Sequence, residues 1–220
     1  MDSRVVERTT GRGGELVLRH RDGVFEIVEN GVFLMDTRDG RSERLLVGAA
    51  ADAMPARGRM VIGGLGVGFS LAEALTRPAV REVHVIEREE AVVRWNRGPL
   101  APVHGHALDD DRVRVHVTDL TDWMDAAEPA GVDALCLDVD NGPEWTVTPS
   151  NDDLYRDRGL ARAARALSPG GVLTVWSAAP APDLEARLAG HFATVHSHEI
   201  PVDRGQPDVV LVAVGPRGSG

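Results

Sequence analysis

Apolar residues fall into two regimes along this chain. In the first fifty residues they form short β-type runs: Glu15-Leu16-Val17-Leu18-Arg19, Val24-Phe25-Glu26-Ile27-Val28 and Val32-Phe33-Leu34-Met35. Asp22-Gly23 and Asn30-Gly31 separate the runs, and such dipeptides tolerate the positive φ of tight hairpin turns, so a small antiparallel β unit is expected. Arg41 to Ala53 then reads as a helix. From Arg59 onward strand-like and helix-like segments alternate, the signature of a parallel sheet with helices on both faces. Strands are expected at Met60-Val61-Ile62, Glu82 to Glu87, Val113 to Val117, Ala134 to Leu137 and Val172 to Trp176, with helices from Ser70, over Glu89 to Trp95 and over Asp153 to Leu167. Ser168-Pro169-Gly170-Gly171 stops the last of these. Ala193 to His198 and Val209 to Val214 predict a C-terminal hairpin.

The count is seven strands, with helices between the first five. That fits a Rossmann-like, class I methyltransferase-type sheet better than a six-stranded dinucleotide fold. The expected organisation is a β unit over 1–50, the Rossmann-like domain over 51–214 and a disordered tail over 215–220.

Composition narrows the function classes. The single cysteine, Cys136, excludes an internal disulfide and fits a reducing compartment; inside an apolar strand it reads as core, not nucleophile. A formal net charge of -10 offers no electrostatic grip on phosphate backbones, so a nucleic-acid partner is not expected and a cationic substrate is favoured. No run approaches the ~20 apolar residues of a membrane span, and Met1 to Thr10 has no apolar core to act as a signal peptide, so a cytoplasmic protein without membrane contact is expected. His104 and His106 lack carboxylate or thiol partners at metal-ligand spacing, and no metal is expected.

Gly63-Gly64-Leu65-Gly66-Val67-Gly68 directly follows the first strand of the parallel sheet. Glycines there permit a tight turn and close approach of backbone to ligand, although a ligand-free turn has the same composition. Glu87 ends the next strand, where a carboxylate can accept from both ribose hydroxyls of a nucleoside; alone, it is equally a solvated strand-end charge. Asp119 ends the third strand, in place to meet an adenine amino group. Together the three strand ends outline a nucleoside site. The glycine spacing is narrower than the one that seats a pyrophosphate on a helix N-terminus, which disfavours NAD.

From Val61 to Trp176 the chain resembles the spermidine/spermine synthase family of polyamine aminopropyltransferases. The residues that carry the resemblance are Gly63-Gly64-x-Gly66-x-Gly68, Val85-Ile86-Glu87, Thr118-Asp119, Leu137-Asp138-x-Asp140-x-Gly142-Pro143, Leu154-Tyr155 and Ala166-Leu167-x-Pro169-Gly170-Gly171-Val172-Leu173. The resemblance implies an aminopropyl transfer from decarboxylated S-adenosylmethionine with release of methylthioadenosine. It maps the family's catalytic Asp onto Asp138 and a second one onto Asp140. Two carboxylates so close should raise at least one pKa and favour proton acceptance. Glu144, Trp145, Tyr155 and Trp176 are candidate substrate contacts, with surface or packing roles as the alternatives; an aromatic face could meet a sulfonium. The resemblance also implies a homodimer formed partly through the N-terminal β unit.

The departures concern the other half of the site. Gly66 stands where the family usually has an Asp that opposes the carboxylate of intact S-adenosylmethionine. Leu34 replaces a Gln, and Glu43-Arg44-Leu45 a Tyr-His-Glu or Tyr-Gln-Glu run. Three readings follow: a transferase or cyclase acting on the aminopropyl or 3-amino-3-carboxypropyl chain, with intact S-adenosylmethionine as the preferred donor; a methyltransferase releasing S-adenosylhomocysteine; and a non-catalytic nucleoside-binding protein. A Glu87→Ala change is expected to spare the fold, because a strand-end carboxylate is not core.

Overall fold

The computed structural model describes residues 3–55, 57–139, 149–202 and 205–217. Four strands, β1 (Ser3–Thr10), β2 (Glu15–Arg21), β3 (Val24–Glu29) and β4 (Val32–Asp36), form an antiparallel meander in the order β1-β2-β3-β4. Asp22 and Asn30 take positive φ in the two hairpin turns, as their turn chemistry predicts. The pattern does not single out β1: a half-buried strand would alternate, and instead Ser3 to Val6 are all exposed. β4 contains a bulge. Val28 pairs with Phe33 but Ile27 pairs with Met35, which leaves Leu34 as the extra residue.

Helix α1 spans Arg41–Ala53, as expected, and buries Leu46, Val47, Ala50 and Ala51, a stripe at helical spacing. It packs against the large sheet, and the last strand of the small one ends at Asp36. The large sheet contains β5 (Gly58–Gly63), β6 (Val80–Glu87), β7 (Val113–Val117), β8 (Val132–Leu137), β9 (Leu167–Ser177), β10 (Phe192–Ile200) and β11 (Asp208–Pro216). Its order is β10-β11-β9-β8-β5-β6-β7. β5 to β9 run parallel, and the C-terminal hairpin inserts β11 antiparallel to β9. Helices α2 (Phe69–Thr76), α3 (Glu90–Arg97) and α5 (Asp157–Ala166) stand near their expected places. Residues 149–155 form a 3-10 turn in place of the first part of the expected helix. Two helices, α4 (Leu120–Ala126) and α6 (Pro182–His191), stand where the hydrophobic pattern gives little sign of one.

Strand alternation divides the core between the two faces of the sheet. Met60, Ile62, Ala134, Cys136, Val210 and Val212 pack with α1, α2, α3 and also with Leu16, Leu18 and Ile27 of the small sheet. Val61, Leu135, Leu137, Leu173, Val175 and Leu211 pack with α4, α5 and α6. The small sheet therefore shares a core with the large domain, which fixes it over the carboxyl edge of the strands. Among the described residues no helix is long and apolar enough to cross a membrane. Residues 218–220 of the expected tail lie outside the described residues.

Candidate active site

The sheet order sets the chemistry out in a line. Along the carboxyl edge come Asp119 after β7, Glu87 at the end of β6, the glycine loop after β5, Asp138 after β8, Trp176 in β9 and Asp208 at the start of β11. One cavity of about 900 Å³ runs along this edge and is roofed by β4 and α1. Gly64, Gly66, Glu87, Asp119, Asp138 and Trp176 all line it. Gly63 at the end of β5, Gly68 at the start of α2 and Tyr155 lie outside the wall. Asp140, Glu144 and Trp145 lie outside the described residues.

The glycine loop is held from three sides. Its Leu65 amide donates to Glu87 Oε2 at 3.0 Å, the Gly64 amide to the Ile86 carbonyl at 2.9 Å, and Asn96 Nδ2 to the Gly66 carbonyl at 2.8 Å. Gly64 has φ +94, and a Cβ on it would overlap the Asp138 carbonyl oxygen, so this glycine lets the loops after β5 and β8 touch. His104 accepts from the Ala107 amide at Nδ1 and so donates from Nε2 to the Asn96 carbonyl at 3.1 Å; it is a satisfied core histidine.

Glu87 is 7% exposed. Its other oxygen accepts from the Glu89 amide at 2.8 Å. Burial raises its pKa, and these two amides oppose the rise. This corrects the expectation that Glu87 is dispensable to the fold, because the carboxylate organises the loop as well as facing the cavity. Asp119 caps α4, accepting at Oδ1 from the Thr121 amide at 2.9 Å.

Asp138 is half-buried and accepts at Oδ2 from Ser70 Oγ at 2.6 Å. Burial pushes its pKa up to about 6, and the Ser70 bond holds it down. Glu43, on α1, is pushed up to about 7 by burial first and then by the Asp138 charge. Asp208 accepts from Ser42 Oγ at 2.6 Å and from Trp176 Nε1 at 3.4 Å. Tyr155, 2% exposed, donates to the Val139 carbonyl at 3.1 Å from behind the loop, so it braces that loop.

Ser70 and Asp208 were not marked by any motif, and Glu43 only as a departure. Ser70 follows the last loop glycine by two residues, the one local signal available; Asp208 lies in a turn-rich stretch with no signal of its own. Among the described residues the cavity's two cationic side chains, Arg38 and Arg88, are paired with Asp36 and Glu89. Gly66 does not leave open space: a Cβ there would overlap Met35 Sδ. The space beside Gly66 is thus filled by a side chain from β4. Among the described residues no cluster of His, Cys, Asp and Glu could hold a metal ion.

The sheet order, the strand-end cavity and the antiparallel β11 define a class I methyltransferase-like fold. No protein-family model matches the chain. A polyamine aminopropyltransferase of Mycobacterium tuberculosis is 34% identical over 170 residues, which cover 76% of this chain and 31% of that protein. One from Prochlorococcus marinus is 22% identical over 183 residues, 77% of this chain and 63% of its own length. The chain spans about a third of the first relative and less than two thirds of the second. A spermidine synthase crystallised with the transition state analogue AdoDATO superposes with a TM-score of 0.82 at 15% identity, over 96% of this chain and 73% of that one. The spermidine synthase of Thermotoga maritima gives 0.79 at 14% identity, over 96% and 72%. Over about three quarters of its length the chain is similar to polyamine aminopropyltransferases, and it shares the methyltransferase-like fold of the spermidine synthases.

Proposed function

We propose that the chain is a spermidine-synthase-like transferase that moves an aminopropyl group from decarboxylated S-adenosylmethionine to an amine. One observation carries this reading: a single cavity joins Glu87 and Asp119, suited to ribose and adenine, to Asp138, a carboxylate with a raised pKa. A volume of about 900 Å³ is in the range of small-molecule sites. The bound sulfonium supplies a methylene carbon open to nucleophilic displacement. The amine nitrogen forms the C–N bond as the C–S bond breaks, and the electron pair leaves on sulfur as methylthioadenosine. Asp138 takes the proton the nitrogen sheds, and Glu43 beside it is a second acceptor. Glu87 and Asp119 hold the nucleoside, and the Trp176 face and Asp208 receive the cationic end of the acceptor.

Two features favour the decarboxylated donor over the intact one expected from Gly66. Met35 fills the volume beside Gly66, and Glu43, Asp138 and Asp208 oppose a further carboxylate. Leu34 and Glu43 both line the cavity, so the acceptor half differs from the family pattern and the acceptor is an amine of altered length or substitution.

The test is incubation with each donor and a panel of diamines, followed by mass spectrometry. Methylthioadenosine plus an aminopropylated amine is the expected outcome. S-adenosylhomocysteine would make the protein a methyltransferase; methylthioadenosine without an adduct would point to cyclisation. Asp138→Asn should abolish turnover and retain methylthioadenosine binding.

A further inference from the structure

The roof of the cavity contains a feature that a regular strand cannot make. Phe33, Leu34, Met35 and Asp36 are consecutive, yet all four line the cavity. Regular alternation would turn every second one away. The bulge at Leu34 breaks the alternation and re-aims the strand. Its effect is to bring Met35 down onto the glycine loop. Gly66 has φ +50, and a Cβ there would meet Met35 Cε at 2.9 Å and overlap Sδ. The thioether therefore stands where a side chain at position 66 would stand.

The position of this contact along the sheet gives it meaning. Asp119 and Glu87 lie on one side of the glycine loop and Asp138 on the other. A ligand whose nucleoside lies on the first pair and whose reactive carbon faces Asp138 must pass over Gly64 and Gly66. Its sulfonium substituents then lie against Met35. We infer that Met35 is a specificity-determining residue that sets the room for the donor's tail, admitting aminopropyl and resisting the larger aminocarboxypropyl group. The inference rests on the donor reading above. Selection lies with the N-terminal sheet and not the nucleotide-binding loop. Methionine is unbranched and adaptable, so the restriction is graded, not absolute.

The experiment compares three adenosyl ligands by calorimetry: methylthioadenosine, which lacks the tail, decarboxylated S-adenosylmethionine and S-adenosylmethionine. Met35→Ala should improve the affinity for S-adenosylmethionine relative to methylthioadenosine by about tenfold, the lower range for opening a pocket by a methylene or more. Methylthioadenosine should still bind the variant, which also shows that the variant is folded. Met35→Val, shorter and suited to a strand, should move the ratio the same way, and Met35→Leu, similar in volume, should leave it unchanged. An unchanged ratio in both the Ala and Val variants, with methylthioadenosine still bound, overturns the role of Met35 and leaves the donor reading intact. If the wild type binds none of the three ligands, the donor reading falls, and this inference with it.

Discussion

Removing the Ser70 hydroxyl isolates the proton chemistry of the site. Ser70 is 2% exposed, and its one hydroxyl proton goes to Asp138 Oδ2 at 2.6 Å and not to the Glu43 carbonyl at 3.4 Å. The bond favours the ionised form of Asp138 against the burial that raises its pKa to about 6. A hydrogen bond to a charged group contributes about 1.5–3 kcal/mol. At about 1.4 kcal/mol per pH unit, Ser70→Ala should raise the Asp138 pKa by about 1–2 units. A base must be ionised to accept a proton, so activity rises with pH through this range. The acid limb of kcat/KM, near 6–7 in the wild type because Asp138 and Glu43 titrate together, should move up by about one unit or more. The assay is methylthioadenosine release by chromatography from pH 5 to 9.5. At pH 6 the variant should lose about tenfold in rate, and at high pH the two profiles should converge. A limb that stays in place while the plateau falls would refute the coupling and leave Ser70 a packing residue.

The same carboxylates make stability pH-dependent in a known direction. Both folded pKa values, about 6 and about 7, lie above the ordinary carboxylate range. A group raised on folding favours the folded state when protonated, so that contribution is present at pH 4 and is lost as pH rises through 6 to 7. Glu43→Gln should flatten the fall in Tm between pH 5 and 8, measured by scanning calorimetry; an unaltered slope would remove Glu43 from the coupled pair. Glu87→Ala should weaken methylthioadenosine binding by about 1–3 kcal/mol and also lower Tm, because two backbone amides lose their acceptor; full affinity by calorimetry would sink the ribose assignment. Gly64→Ala, at φ +94 with the Asp138 carbonyl in the way, should cost about 1–3 kcal/mol in urea unfolding, and a neutral result would show that the two loops can separate freely. The small sheet keeps two free edges, β1 and β4, with Val5 53% and Phe33 46% exposed, so a homodimer is expected in sedimentation; a monomer at micromolar concentration would refute it.

What could be read from the chain alone follows the range of the interactions involved. Helix α1 falls on its expected bounds because its apolar stripe is local, and the central strands β5 and β8 show as apolar runs because both of their faces are buried. β1 has no such mark: Ser3 to Val6 are wet on both faces, and its partner strand supplies the order. Strand ends and loop glycines place Glu87, Asp119 and Asp138 on one edge, since topology carries every parallel strand to the same side. What each carboxylate touches there is tertiary. Ser70 reaches Asp138 across 68 positions, and Ser42 reaches Asp208 across 166, separations over which local pattern has no bearing. Gly66 is the sharpest case. Read alone, an absent side chain means open space, and open space suggested a bulkier donor. The bulge at Leu34 places Met35 in that space, so the volume beside a glycine is decided by another strand, and that is the ground on which the decarboxylated donor is proposed.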